Sequence, residues 1–94
     1  MKIPKSFECM GMNIKVQFGG LEASNNHGTF DAEKSLIAIV KQDNRQNQEA
    51  TFWHEYVHCA LSTLGYTKLN NDEEFVERLG QCLYQLHKTK KGEQ

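Results

Sequence analysis

The sequence predicts an α+β fold in which a small antiparallel sheet of about three strands is followed by two packed antiparallel helices. Up to residue 45, short stretches alternate apolar and polar residues or are rich in β-branched residues, as strands do. From residue 46 to 90, apolar residues recur every three or four positions, the period of an amphipathic helix. A chain of 94 residues with 38% hydrophobic residues is expected to form one domain over residues 1–94.

Three strands are expected in the part formed by residues 1–45. The stretch 13–18 alternates apolar and polar residues and ends at a pair of glycines. The stretches 27–30 and 36–40 are predicted to form a hairpin through residues 31–35, and the polar residues 22–26 are expected to be a loop. Strand 36–40, which directly precedes the helical part, is one candidate for an edge that pairs with an extended peptide.

The first helix is predicted over residues 46–64. This stretch contains no proline or glycine, and Gly65 follows it as a C-cap residue. At about 100° per residue, six apolar residues share one stripe: Ala50, Trp53, Val57, Ala60, Leu61 and Leu64. His54 and His58 lie at one edge of this stripe, so we expect them at the rim of a cleft.

The second helix is predicted over residues 71–88, with Asn71 as N-cap and Glu74 three residues later, as in a capping box. Because the link 65–70 is short, the two helices are expected to be antiparallel neighbours. The predicted core stripe of the second helix comprises Phe75, Val76, Leu79, Cys82, Leu83 and Leu86. Cys82 is therefore expected to be a small buried apolar residue.

Residues 54–58 read His-Glu-Tyr-Val-His, which matches the H-E-x-x-H pattern of zinc peptidases. Residues four apart lie on one face of a helix, so His54 and His58 can reach the same metal ion. Glu55 projects beside that ion, where its carboxylate can act as a general base. The pattern predicts a Zn²⁺ site with Glu55 as the catalytic residue.

The third metal ligand must come from the second helix, where Glu73, Glu74 and Glu77 are available. In an antiparallel pair, Glu77 lies at about the depth of His58, whereas Glu73 and Glu74 lie closer to the loop. The angular position instead favours Glu73, which is nearer the apolar stripe. We give depth more weight because a rotation of the helix can absorb an angular error. The prediction is therefore Glu77, with Glu73 as the alternative. Gly80, one turn after Glu77, is expected to let the helices approach closely.

A short domain with this motif on one helix and a glutamate on the next resembles the gluzincin metallopeptidases in reduced form. It looks most like the small zinc metallopeptidases of phages and prophages that are related to the ImmA/IrrE family. Outside the motif, the resemblance rests on the segments 1–5, 28–31, 36–39, 74–79 and 83–85. It implies that His54, His58 and Glu77 hold zinc and that Glu55 is the base.

The chain departs from the larger gluzincins at one position. Those enzymes often carry an aspartate one turn after the ligand glutamate, oriented toward a ligand histidine. With Glu77 as the ligand, that position is Gln81. Zincins also use a tyrosine or histidine to stabilise the oxyanion, and the sequence does not choose among its candidates: Tyr56, Tyr66, Tyr84 and His27.

The predicted function is a zinc-dependent metallopeptidase acting on a protein or peptide substrate. The alternative is a catalytically inactive, zinc-stabilised domain that binds a host or phage regulator. A net charge of −1 gives no electrostatic case for nucleic-acid or membrane binding. The sequence contains no long apolar run and no leader pattern, and its number of cysteines is odd. These features predict a cytoplasmic protein with free thiols. The oligomeric state stays open.

Overall fold

The computed structural model describes residues 1–20 and 27–92, so the loop predicted over residues 22–26 lies outside the described residues. The α+β class is confirmed, but the sheet has four strands. The strands are β1 (Ser6–Cys9), β2 (Met12–Phe18), β3 (Gly28–Asp31) and β4 (Leu36–Ile39). The helices are α1 (Arg45–Leu64), α2 (Thr67–Asn70) and α3 (Glu73–Thr89). None of these helices is long and apolar enough to span a bilayer.

The sheet is mixed, with the strand order β1-β2-β4-β3, and the prediction of a purely antiparallel sheet was wrong. The chain leaves β2, forms β3 at the far edge, and returns as β4 between them. As a result β4 pairs parallel with β2 and antiparallel with β3. Residues 36–40, one candidate for the exposed edge, do not form an edge, because β4 pairs with β2 on one side and with β3 on the other. Ile37, Ala38 and Ile39 are fully buried. Their unbroken apolar run is typical of a strand that is covered on both faces.

Strand β1 was not expected from the sequence. It pairs with β2 through a two-residue turn, in which Met10 and Gly11 have φ angles of 50° and 82°. Two positive φ angles define the tight turn whose twist matches that of a hairpin. A methionine in this conformation is uncommon, which explains why the local residue pattern did not reveal the turn.

Helix α1 lies between the sheet and α3, and each contact forms an apolar core. The sheet-facing core comprises Cys9, Ile14, Ile37, Ile39, Phe52 and Cys59. The core between α1 and α3 comprises Val57, Leu61 and Val76. The predicted close approach at Gly80 is confirmed, since a Cβ built there would lie 3.1 Å from the Cα of His54.

Helix α3 begins two residues later than predicted. Asp72, rather than Asn71, is its N-cap, and its side chain accepts a hydrogen bond of 3.1 Å from the backbone N–H of Phe75. The short helix α2 occupies part of the expected loop. Contrary to expectation, Cys82 is exposed, because α3 turns only part of its apolar surface toward α1.

Candidate metal centre

The two motif histidines lie in the middle of α1 at the wall of an open cleft of about 810 Å³. Asn44 caps the start of the helix by accepting a 2.8 Å hydrogen bond from the backbone N–H of Asn47. The imidazoles of His54 and His58 have centroids 5.1 Å apart. Their side chains are 22% and 18% exposed, so both rings reach the cleft but are held by packing. The other walls of the cleft come from β3 and α3.

The Glu73 carboxylate lies between the two imidazoles. Its oxygens are 3.4 Å from Nε2 of His54 and 3.2 Å from Nε2 of His58. In a tetrahedral zinc site with bonds of about 2.0–2.2 Å, ligand atoms are about 3.3–3.5 Å apart. The donor atoms of these three residues all lie within 4.8 Å of one another. Their spacing and chemistry therefore fit one zinc ion.

Glu77 contacts the other nitrogen of His54 instead of facing both rings. Its Oε2 is 2.9 Å from Nδ1 of His54, and its Oε1 accepts a hydrogen bond of 2.9 Å from Gln81. The hydrogen bond from Gln81 is the largest cause of a lowered pKa of Glu77, and the contact with His54 adds to it. Glu77 thus stays ionised and accepts the Nδ1 proton, which leaves Nε2 of His54 free to bind a metal.

Asn70 has the same role at the second imidazole. Its Oδ1 lies 2.6 Å from Nδ1 of His58, so this nitrogen donates and Nε2 of His58 keeps its lone pair. Both lone pairs point to the region around Glu73. Sequence reasoning missed Asn70, because it lies on α2 and no residue spacing links it to the motif.

The geometry favours the alternative ligand Glu73 over the predicted Glu77. Gly80 faces His54, so on antiparallel helices Glu77 is level with Val57, as the depth argument required. However, at about 100° per residue, Glu77 lies about 80° around α3 from the contact with α1, whereas Glu73 lies about 40° from it. Glu73 lies one helical turn from Glu77 along the axis of α3, a distance that the side chain of Glu73 can span.

Assigning Glu73 as the ligand also changes how Gln81 is interpreted. The carboxylate one turn after Glu73 is Glu77, and it is oriented toward His54. Gln81 in turn donates a hydrogen bond to the other oxygen of Glu77.

Glu55 is only 7% exposed and lies beside the histidines. Burial raises the pKa of its carboxyl group, and the nearby His54 and His58 oppose this shift. The backbone N–H of Phe30 donates a hydrogen bond to the carboxylate. A glutamate with a raised pKa is a stronger base than an exposed one, which suits it to proton transfer.

Among the described strands, β3 forms one edge of the sheet and borders the cleft. The backbone N–H of Val40 donates to the carbonyl of His27, so alternate residues of β3 bond to β4. The backbone groups of Gly28 and Phe30 therefore face away from β4. Only glycine fits at position 28, because a Cβ there would lie 2.6 Å from Cγ2 of Thr51.

Of the four candidates for an oxyanion-stabilising side chain, His27 lines the cleft. Its Nδ1 is 2.9 Å from the Asp43 carboxylate. His27 lies three positions before Phe30, a distance of about 10 Å along an extended chain. The remaining candidates are not among the residues that line the cleft: Tyr56, Tyr66 and Tyr84.

Comparison of the chain with protein-family models, with curated proteins and with solved structures finds no match in any of the three.

Proposed function

We propose that the protein is a zinc-dependent metallopeptidase, in which His54, His58 and Glu73 hold Zn²⁺ and Glu55 is the general base. The observation that supports this most strongly is that the three donors lie within 4.8 Å of one another, with Glu73 3.4 Å and 3.2 Å from the two Nε2 atoms, beside a buried glutamate. A structural zinc site needs no base at that position. The three protein donors also leave a fourth position open, as in catalytic sites.

The chain's own groups orient the site and move the proton. Zinc, when bound, supplies a Lewis acid that polarises a carbonyl and makes water more acidic. Glu55 takes the proton of the attacking water and gives it to the leaving amine. Glu77 and Asn70 hold the two imidazoles in the tautomer that leaves Nε2 unprotonated.

The proposed substrate is an extended protein or peptide segment. Among the described residues, the edge of β3 that faces away from β4 offers the backbone groups of Gly28 and the carbonyl of Phe30 along the cleft. An added strand would pair with this edge. A peptide in that position passes Glu55, because the amide of Phe30 is hydrogen-bonded to the Glu55 carboxylate. Together with the family resemblance, this supports an intracellular peptidase of phage or prophage origin, acting in the cytoplasm of the host.

The alternative is an inactive domain that uses zinc for stability and binds a regulatory protein. One observation favours it: no tyrosine is among the described residues that line the cleft. Zincins usually stabilise the oxyanion with a tyrosine or a histidine. Of the four candidate oxyanion-stabilising residues, only His27 lines the cleft, and it lies about 10 Å along the chain from Phe30. A metal would also add stability to a core of this size.

Hydrolysis by the zinc-loaded protein, compared with its Glu55→Gln variant, distinguishes the two functions. The expected result is cleavage in an unfolded-protein or peptide-library digest that mass spectrometry detects, and its loss in the variant at unchanged zinc content. Equal cleavage by both proteins would refute the role of Glu55. Zinc binding without any cleavage would favour the inactive domain.

A further inference from the structure

Helix α3 carries a second apolar stripe, which α1 covers only in part because the half-buried Phe75 packs against the core of Val57, Leu61 and Val76. Its four residues are spaced by four, three and four positions: Phe75, Leu79, Cys82 and Leu86. At about 100° per residue they fall within a sector of about 60°. Leu79 and Leu86 are 38% and 56% exposed. This spacing is that of the contact seam between two paired helices.

The stripe and the contact with α1 lie on different sides of α3. Val76 and Gly80 are buried against α1, and their mean direction is about 110° around the helix from the stripe. The metal donor Glu73 lies on the opposite side from the stripe, about 150° away. A helix that packs on the exposed part of the stripe therefore lies away from the cleft.

The charges at the two ends of α3 indicate which helix fits the stripe. The exposed Asp72 at the start lies about 50° around the helix from the stripe. Exposed lysines follow the end of the helix: Lys90 and Lys91. A parallel copy of α3 would bring like charges together. An antiparallel copy would bring the acidic start of each helix to the basic end of the other, so α3 is complementary to itself.

We infer that the stripe is the interface of a homodimer, in which α3 of one protomer packs antiparallel against α3 of its partner about a twofold axis. If the twofold axis passes between Leu79 and Cys82, each residue of the stripe packs against a stripe residue of the partner. Phe75 then meets the partner's Leu86, and Leu79 meets the partner's Cys82. This arrangement is isologous and closes at two copies. One helix pair buries little surface, below about 1,200 Å², so the dimer is weak and concentration-dependent.

Sedimentation equilibrium of the zinc-loaded protein over a range of concentrations tests this interface. The wild-type protein is expected to shift from the mass of one chain toward twice that mass as the concentration rises. Leu79→Glu and Leu86→Glu each place a charge in the seam and are expected to abolish the shift. Ala32→Glu adds the same charge in the exposed turn between β3 and β4 and should leave the shift unchanged.

A charge reversal tests the orientation. Replacing both Lys90 and Lys91 by glutamate should weaken an antiparallel dimer, whereas unchanged or stronger association would refute that orientation. A short bis-maleimide is expected to link two chains through the exposed Cys82, because Cys9 and Cys59 are buried. This crosslink is made on the wild-type chain and so does not depend on a variant that might misfold.

Three results would overturn the inference: a single-chain mass at every concentration, a dimer that survives both leucine variants, or no Cys82 crosslink. The test does not depend on zinc chemistry, since dimerisation and hydrolysis are measured separately. An active monomer would refute the dimer and leave the proposed function intact.

Discussion

Gly80→Ala tests whether the close approach of α1 and α3 controls the metal site. The added methyl group would lie 3.1 Å from Cα and 3.2 Å from the backbone N of His54. Backbone atoms in a helix cannot turn aside as a side chain can, so the helices must separate. Overpacking of this kind costs about 1–3 kcal/mol, whereas replacing glycine by alanine inside a helix stabilises it by about 1 kcal/mol.

The expected net effect is a loss of about 1 kcal/mol in the free energy of unfolding, which for a domain of this size lowers Tm by about 4–8 °C. Zinc affinity should fall as well, because moving α3 displaces Glu73 from the two imidazoles. Thermal unfolding with and without zinc, and competition with a coloured chelator, measure these effects. Gln85→Ala, at an exposed position of α3, is the control and should change neither quantity appreciably.

A higher Tm for Gly80→Ala, with unchanged zinc affinity, would refute this reasoning. It would mean that helix propensity outweighs packing at this position and that the approach of the helices does not set the spacing of the donors.

Three further outcomes are expected. Gly28→Ala should lower the unfolding free energy by about 1–3 kcal/mol in denaturant titrations, because its methyl group would overlap Thr51. Glu77→Gln should keep zinc but bind it about 10–100-fold more weakly in chelator competition, since a partner of a ligand histidine is changed. Cys82 should react with a maleimide in the native protein. Burial raises the pKa of Cys59 to about 12, so Cys59 should react only when the protein unfolds. Equal reaction rates of the two thiols in the native protein would contradict the packing.

Local features of the sequence were sufficient to predict the motif helix and the hairpin. The His-Glu-x-x-His spacing and Gly65 fix α1 by short-range rules, and the hairpin between β3 and β4 forms where the residue pattern places it. The strand order was not predictable in this way. It depends on β4 entering the sheet between two strands, a long-range pairing that leaves only a faint signal in the apolar run 36–40.

The choice of the third donor shows a similar limit. The sequence reduced it to three glutamates, and the depth of Glu77 was estimated correctly. Choosing between Glu73 and Glu77 required the rotation of α3 about its axis, which is set by the burial of Val76 and Gly80. The exposure of Cys82 has the same cause, because that rotation turns its stripe away from α1.

Zinc content per chain, measured by elemental analysis for the wild type and for Glu73→Ala and Glu77→Ala, tests the central claim most directly. We expect about one zinc per wild-type chain, its loss in Glu73→Ala, and its retention with weaker binding in Glu77→Ala. Loss in Glu77→Ala with retention in Glu73→Ala would contradict the assignment of Glu73. A wild-type protein that binds no zinc even when zinc is supplied would contradict the metallopeptidase proposal itself.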